Sequence, residues 1–98
     1  ASDTMIMADA YGNMALAHYY LGNYNDSLEF HQKALNIKIK CLGPNHASVA
    51  STYTNMGSCV LTMGQYEQAR DYYQKAVDID KVCLGESHPS TAEDLSGL

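Results

Sequence analysis

The sequence has little positive charge. It contains six Lys and Arg residues against eleven Asp and Glu, which gives a formal net charge of −5 over 98 residues. A nucleic-acid-binding protein concentrates Lys and Arg on one face, and the sequence has no such cluster. Long apolar runs are also missing, because no stretch of 18 apolar residues exists that would span a membrane. We therefore expect neither nucleic acid nor a membrane as a partner.

Cysteine and targeting signals are equally sparse. Three cysteines are an odd number and cannot form a complete disulfide framework, so a reducing, cytoplasmic setting fits best. The first residues, ASDTMIMADA, have neither the basic segment nor the long apolar segment of a signal peptide. They also lack an initiator methionine, which suggests a fragment of a longer protein or a processed chain.

Motifs for catalysis are missing as well. The sequence contains no nucleophile elbow, no glycine-rich phosphate loop and no paired carboxylates beside a base on one helical face. Apolar residues make up 46% of the chain, which is enough for the core of one domain. We therefore expect a folded domain that is not an enzyme and binds no cofactor.

What the sequence does contain is an internal repeat with a period of 42 residues. Aligning residues 1–42 with residues 43–84 needs no gaps and gives 12 identities, where chance would give about two or three. Four further matches continue the repeat into the remaining residues. The chain is therefore predicted to be a single domain with three parts. These are a first repeat at about 4–45, a second at about 46–87, and a half repeat or capping helix at 88–98.

Each repeat is predicted to form two helices. In the second repeat, apolar residues recur at helical spacing from about 48 to 63 and again from about 66 to 82. Gly64 separates the two stretches, at a position that favours a residue tolerant of left-handed geometry. The first repeat copies this scheme at about 4–21 and 24–41. Because no strand-like alternation is present, we predict an all-α fold.

Side-chain sizes along the repeats predict how these helices pack. Small residues recur at equivalent places, such as Ala15 and Gly57, and allow two antiparallel helices to approach closely. Tyrosines are expected to fill the space beside them, and His18 and His31 to take core or half-buried positions. Two further groups are assigned to packing. The methionines are expected in the core or at an end of the stack, and they are Met5, Met7, Met14, Met56 and Met63. The tyrosines expected beside the small residues are Tyr24, Tyr66 and Tyr73.

The repeat also explains two stretches that pair cysteine with histidine, CLGPNH and CLGESH. Cys41 and Cys83 are equivalent, and helices in a stack lie about 8–10 Å apart, beyond the about 7 Å that a disulfide allows between Cα atoms. A zinc site needs closely spaced ligand pairs from two elements, which a cysteine and a histidine on one join do not provide. We expect half-buried thiols, no metal, and a capping or orienting role for His46 and His88.

The run YTNMGSCVLTMGQYEQARDYYQKAVDI, residues 53–79, resembles a tetratricopeptide repeat. It contains an aromatic residue, an N-M-G triplet, a G-x-Y turn and an A…YY-x-K-A pattern. The period of 42 and the join LGESHP are similar to the repeats of kinesin light chain and nephrocystin-3. The resemblance implies a right-handed α-solenoid of antiparallel helix pairs and a role as a protein–protein interaction scaffold.

The resemblance also implies a groove for an extended peptide, because the first helices of stacked repeats line a concave surface. Asn13 and Asn55 match the asparagine that hydrogen-bonds a peptide backbone in similar repeats. The alternative is an asparagine that is solvated or bonded to a neighbouring helix. All six basic residues fall on the second helices, so we predict a polar, uncharged groove. Its expected residues are Asp9, Asn13, Leu16, Tyr20, Ser51, Asn55, Ser58 and Thr62.

A second class of function stays open. Two and a half repeats are near the lower limit for a stable stack, because each repeat buries its apolar face only against its neighbours. The repeat ends, with Met7 on one side and Leu98 on the other, could pair between chains. The protein would then be a self-associating structural module or homodimer. It could also be a regulatory fragment of a larger multidomain protein.

Overall fold

Four α-helices make up the part of the chain that the structure describes. The computed structural model covers residues 2–84, with side chains from 4 to 83. The predicted half repeat at 88–98 lies outside these residues, as does His88. The helices are α1 (Ser2–Tyr20), α2 (Tyr24–Leu42), α3 (Ala47–Thr62) and α4 (Tyr66–Leu84). The predicted all-α fold with two helix pairs is confirmed.

The second helices of the two pairs follow the sequence repeat residue for residue. Tyr24 and Tyr66 begin the second helix of each pair, and Leu42 and Leu84 end it, in both cases 42 residues apart. α1 packs against α2, α3 packs against α4, and α2 packs against α3. The helices therefore stack in chain order, as expected for a helical repeat.

Glycine ends the first helix of each pair. Gly22 and Gly64 both have a φ of 85°, a left-handed conformation that a residue without Cβ adopts at no steric cost. After Gly22, the Asn23 N–H donates to the His18 carbonyl at 2.8 Å, and an equivalent 2.8 Å bond closes the turn after Gly64. In each turn, the bond across the left-handed glycine satisfies a carbonyl that the helix end leaves without a partner.

The core lies between α2, α3 and α4. The predicted apolar stripe of α3 is confirmed at Met56, Gly57 and Val60, which are all buried. α2 contributes mainly Leu35 to this core. The buried residues that form one contiguous cluster are Leu35, Val49, Ala50, Met56, Ala76 and Ile79.

The close approach of α3 and α4 depends on Gly57. A Cβ atom at this position would lie 2.9 Å from the Tyr73 ring, nearer than side chains normally approach. The Tyr73 hydroxyl lies 3.1 Å from the Ser58 hydroxyl, so the ring spans the helix pair. The predicted match of a small residue with a large one is therefore confirmed here. At the equivalent place in the first pair, Ala15 and His31 are both buried.

Two expectations for the packing are wrong. Met14 is 43% exposed, because no described helix covers the side of α1 that it occupies, and Met7, which was expected at an open end of the stack, is 50% exposed on the same side. Tyr66 is 70% exposed, because it is the first residue of α4 and stands at the end of the helix pair. His18 is half-buried, as predicted, and stacks on Phe30 with ring centroids 5.2 Å apart.

Candidate functional site

Two neighbouring clefts lie at the junction of α1, α2 and α3. The narrower cleft has a volume of about 200 Å³ and the wider one about 370 Å³. Both are lined by Leu16 of α1, His31 of α2 and Asn55 of α3, and we call the two clefts together the groove. The other lining residues of the narrower cleft are Tyr19, Tyr20, Ser58 and Cys59. Those of the wider cleft are Ala8, Asp9, Gly12, Asn13, Ala34, Lys38 and Thr52.

Most of the residues predicted for a groove line these clefts. The six that do so are Asp9, Asn13, Leu16, Tyr20, Asn55 and Ser58. Ser51 is exposed on α3 and lines neither cleft. Thr62 also lines neither, and its hydroxyl donates to the Ser58 carbonyl at 2.9 Å and lies 3.2 Å from the Tyr19 hydroxyl. It braces α1 against α3 at the narrow end of the groove.

The two predicted asparagines differ in exposure. Asn55 is half-buried and borders both clefts, whereas Asn13 is exposed and borders the wider cleft. None of the side-chain hydrogen bonds among residues 4–83 involves either amide. Each amide therefore has a donor and an acceptor free to meet a ligand.

The second helix forms the floor of the groove, which sequence reasoning missed. Lys38 of α2 lines the wider cleft, and its Nζ donates to Thr52 Oγ1 of α3 at 3.0 Å. The Thr52 hydroxyl in turn donates to the Ser48 carbonyl at 3.1 Å. The expectation of an uncharged groove is therefore wrong. His31 and Lys38 are seven residues apart and share one face of α2, which is the signal that would have placed both in the floor.

Burial controls the protonation of His31. Its side chain is 2% exposed. Burial is the larger cause that holds the pKa of His31 below its usual value, and the positive charge of Lys38 is the second. The imidazole is accordingly neutral at neutral pH, and Lys38 supplies the positive charge of the floor.

A buried thiol and hydroxyl lie beneath the narrower cleft. Ser27 Oγ donates to the Ala15 carbonyl at 2.6 Å and lies 3.3 Å from Cys59 Sγ. Burial raises the pKa of the Cys59 thiol, and the hydrogen bond with Ser27 offsets only part of this effect. Cys59 is therefore a thiol rather than a nucleophilic thiolate at neutral pH, as a packing residue should be.

The join between the repeats is a structural cap. His46 Nδ1 accepts a hydrogen bond from the Ser48 N–H at 3.0 Å, so the predicted capping role of His46 is confirmed. Cys41 and Cys83 are exposed rather than half-buried, and Cys83 Sγ donates to the Asn45 carbonyl at 3.0 Å. Each thiol sits near a helix end, where less of the neighbouring helix covers it. Within the described residues, no three His, Cys, Asp or Glu side chains converge to hold a metal ion.

Stacked helix pairs with a groove along their first helices define a helical-repeat protein. The family model described as "Tetratricopeptide repeat" matches residues 6–81 and again residues 50–98. The chain belongs to the tetratricopeptide repeat family, whose repeats generally mediate protein–protein interactions and are typically non-catalytic scaffolds.

No curated protein matches the chain. In residues 2–84, no helix has both the length and the apolar character needed to cross a bilayer.

Proposed function

We propose that the groove binds an extended peptide segment of a protein partner. The observation that carries the proposal is the position of Asn13 on α1 and Asn55 on α3 along the wider cleft, with their amides unbonded to other described side chains. A carboxamide offers a donor and an acceptor to a peptide group whatever the side chain that follows. Two of them along one groove favour an extended backbone over a compact ligand.

The narrower cleft would hold an apolar side chain of the same segment. Leu16, Tyr19 and Tyr20 contribute its wall on α1. The Tyr19 ring is braced between Tyr20 and Tyr24, with centroids 5.7 Å and 5.4 Å away. A rigid aromatic wall contributes contact area at a small cost in side-chain entropy.

We further propose a subtype and a setting for this module. The 42-residue period and second helices of 19 residues favour the kinesin light chain and nephrocystin-3-like subtype. Three unpaired thiols favour a cytoplasmic setting. In this proposal the module is a scaffold without a catalytic residue or cofactor, alone or as part of a larger multidomain protein.

Selection from a peptide library followed by substitution tests the groove. Asn55→Ala and Asn13→Ala should each weaken binding of a selected peptide by about three- to tenfold, because each removes hydrogen bonds to the backbone. Asn36→Ala is the matched control, because Asn36 lies on the exposed side of α2, where its side chain accepts a hydrogen bond from Gln32 and lines neither cleft. Affinities are compared by fluorescence anisotropy. Equal affinities for all four proteins would refute the groove.

Self-association is the second candidate function, and a specific observation favours it. Met7 and Met14 of α1 are half-exposed, whereas Val49 and Met56, which lie 42 residues further on, are 0% and 1% exposed and pack in the core with Leu35 of α2. The side of α1 that would receive a neighbouring helix is therefore apolar and uncovered in the described part of the chain. Leu98, the other predicted contact, lies outside it.

The sizes along this side of α1 suit a second copy. Two antiparallel α1 helices related by a twofold axis place Met7 opposite Ala17 and Ala10 opposite Met14, a large residue against a small one at every level. These four positions follow the alternating three- and four-residue spacing of a helix–helix seam. The homodimer would leave the groove open, because the groove residues occupy another side of α1.

Exchanging the sizes tests this pairing. Ala10→Met and Met14→Ala should each weaken self-association by about tenfold, through overpacking and a cavity respectively. The double variant with both changes should restore it, because large again faces small. The molar mass is measured by sedimentation equilibrium over a concentration series, with Asn55→Ala as the control. A monomer at every concentration, or a double variant as weak as the single ones, would contradict the homodimer.

A further inference from the structure

His31 is a buried polar group that borders both clefts of the groove. Its ring is 2% exposed and lines the narrower and the wider cleft. Among residues 4–83, no side-chain hydrogen bond involves its nitrogens. Because buried polar groups in proteins normally have a partner, the imidazole has hydrogen-bonding capacity that a group entering the groove can use.

Lys38 differs from the other two lysines of α2. Lys33 lies over the rings of Tyr11 and Phe30, at 5.6 Å and 5.5 Å from their centroids. Lys40 is exposed. Of the three, Lys38 alone lines the groove, where its side chain is half-buried. The floor thus has one fixed positive charge.

Thr52 holds the ammonium of Lys38 in the cleft. The 3.0 Å hydrogen bond from Lys38 Nζ to Thr52 Oγ1 uses one of the three N–H donors of the ammonium. Thr52 is itself buried and bonded to its own helix, so it fixes the position of Nζ. Two donors of a partly desolvated cation remain for a ligand, and such a cation binds an anionic acceptor most strongly.

Other ionisable groups around His31 do not cancel this charge. Asp9, Tyr19 and Tyr20 of α1 and Cys59 of α3 line the same clefts, in addition to Lys38. Cys59 is uncharged because burial raises the pKa of its thiol. Asp9 is the one other charged residue at the wider cleft, and it is exposed at the rim, where water screens it. The floor is therefore positive although the chain as a whole is acidic.

We propose that His31 and Lys38 form a subsite for one carboxylate side chain of the bound segment, and that filling the subsite favours protonation of His31. The subsite rests on the peptide groove proposed above and names one feature of its ligand, an Asp or Glu beside the residues that contact Asn13 and Asn55. It uses side chains of the second helix, on the floor of the groove.

Protonation follows from the charges in the subsite. In the free protein, burial and the charge of Lys38 keep the pKa of His31 low. A carboxylate bound between the two side chains offsets the charge of Lys38 and accepts a hydrogen bond from a protonated ring. The complex therefore binds more protons than the free protein, so affinity for an acidic segment rises as the pH falls.

Two peptide pools test the subsite. They are random in sequence, acetylated and amidated at their ends, and differ only in a central Glu or a central Gln. The wild-type protein should retain the Glu pool about threefold better than the Gln pool, as expected for a partly exposed ion pair. Lys38→Gln should remove this preference, and Lys40→Gln, on the same helix but outside the groove, should keep it. Circular dichroism checks that each variant is folded.

A second readout needs no substitution. The strongest Glu peptide should bind the wild-type protein about threefold more tightly at about pH 5.5 than at about pH 7.5, and His31→Gln should remove this difference. NMR titration of the His31 ring should show a higher pKa with the peptide than without it.

The outcomes separate the subsite from the groove. Equal retention of the two pools, or an unchanged His31 titration, would overturn the subsite. The groove itself would still be supported if Asn55→Ala weakened peptide binding. A preference for Glu that survives Lys38→Gln would also overturn it. Retention of neither pool would refute both the groove and the subsite.

Discussion

At the scale of single residues, the two helix pairs use different side chains at the equivalent positions where their helices approach each other. The second helix pair combines Gly57 with Tyr73, and the first combines Ala15 with the smaller ring of His31. In the second pair the ring of Tyr73 lies against Gly57, and in the first pair the equivalent positions hold a small residue and a smaller ring that are both buried, so the sizes compensate. The exchange of Tyr for His also places a titratable ring at the groove.

Gly57→Ala should destabilise the protein although alanine favours a helix. The added Cβ would lie 2.9 Å from the Tyr73 ring, so the ring or the helices must shift. We expect the free energy of unfolding in urea to fall by about 1–3 kcal/mol, the usual cost of overpacking. Gly12→Ala is the control, because nothing lies within 4 Å of a Cβ at Gly12 and the change should stabilise α1 by about 0.5–1 kcal/mol.

A compensating change makes this prediction sharper. Tyr73→His in the Gly57→Ala background recreates the pair Ala15 and His31 of the first repeat. It should recover a large part of the lost stability, which a double-mutant cycle measures as a coupling energy between the two sites. A Gly57→Ala protein as stable as the wild type, or no coupling with Tyr73→His, would mean that the contact does not limit the approach of α3 and α4.

His31 should make the stability of the unliganded protein depend on pH. Its pKa in the folded state is lower than its usual value, so the unfolded state binds more protons. Stability is therefore fully present above the usual pKa of histidine and falls as the pH drops through and below about 6.5. Thermal unfolding from neutral to mildly acidic pH should show this loss. The curve for His31→Gln should be flatter in that range, and an equally steep curve would assign the loss to other groups.

At the scale of helices, the sequence predicts the elements well because the same helix pattern occurs in both repeats. Apolar spacing and the glycines at Gly22 and Gly64 predict boundaries within about two residues of those observed. Burial of Met7 and Met14 could not be predicted in the same way. Their spacing fits a packed side of α1, but burial depends on whether another helix covers that side.

The cap at the start of α3 gives a prediction for this scale. His46→Ala removes the acceptor for the Ser48 N–H and should lower the free energy of unfolding by about 1 kcal/mol. His46→Asn should restore most of it, because Asn is a good capping residue with an acceptor at a similar distance from the backbone. Chemical denaturation measures both. An alanine variant without loss would mean that solvent satisfies the helix end equally well.

At the scale of the whole molecule, the groove is a product of three helices. The sequence predicted its walls, because Asn13 and Asn55 recur at one place on the first helix of each repeat. It did not predict the floor, because only the stacking of α2 between α1 and α3 brings Lys38 and His31 to the wider cleft together. The positive charge of Lys38 therefore belongs to the groove although Lys38 lies on a second helix.

The most direct test of the account is to map a bound peptide on the protein by NMR. Backbone amide shifts are followed while a library-selected peptide is added to the labelled protein. The account predicts that the largest changes lie along the groove, at Asn13, Leu16, His31 and Asn55, and that the outer side of α4 around Val77 changes little. Changes concentrated on α4, with none at Asn55, would contradict the claim that this groove is the binding site.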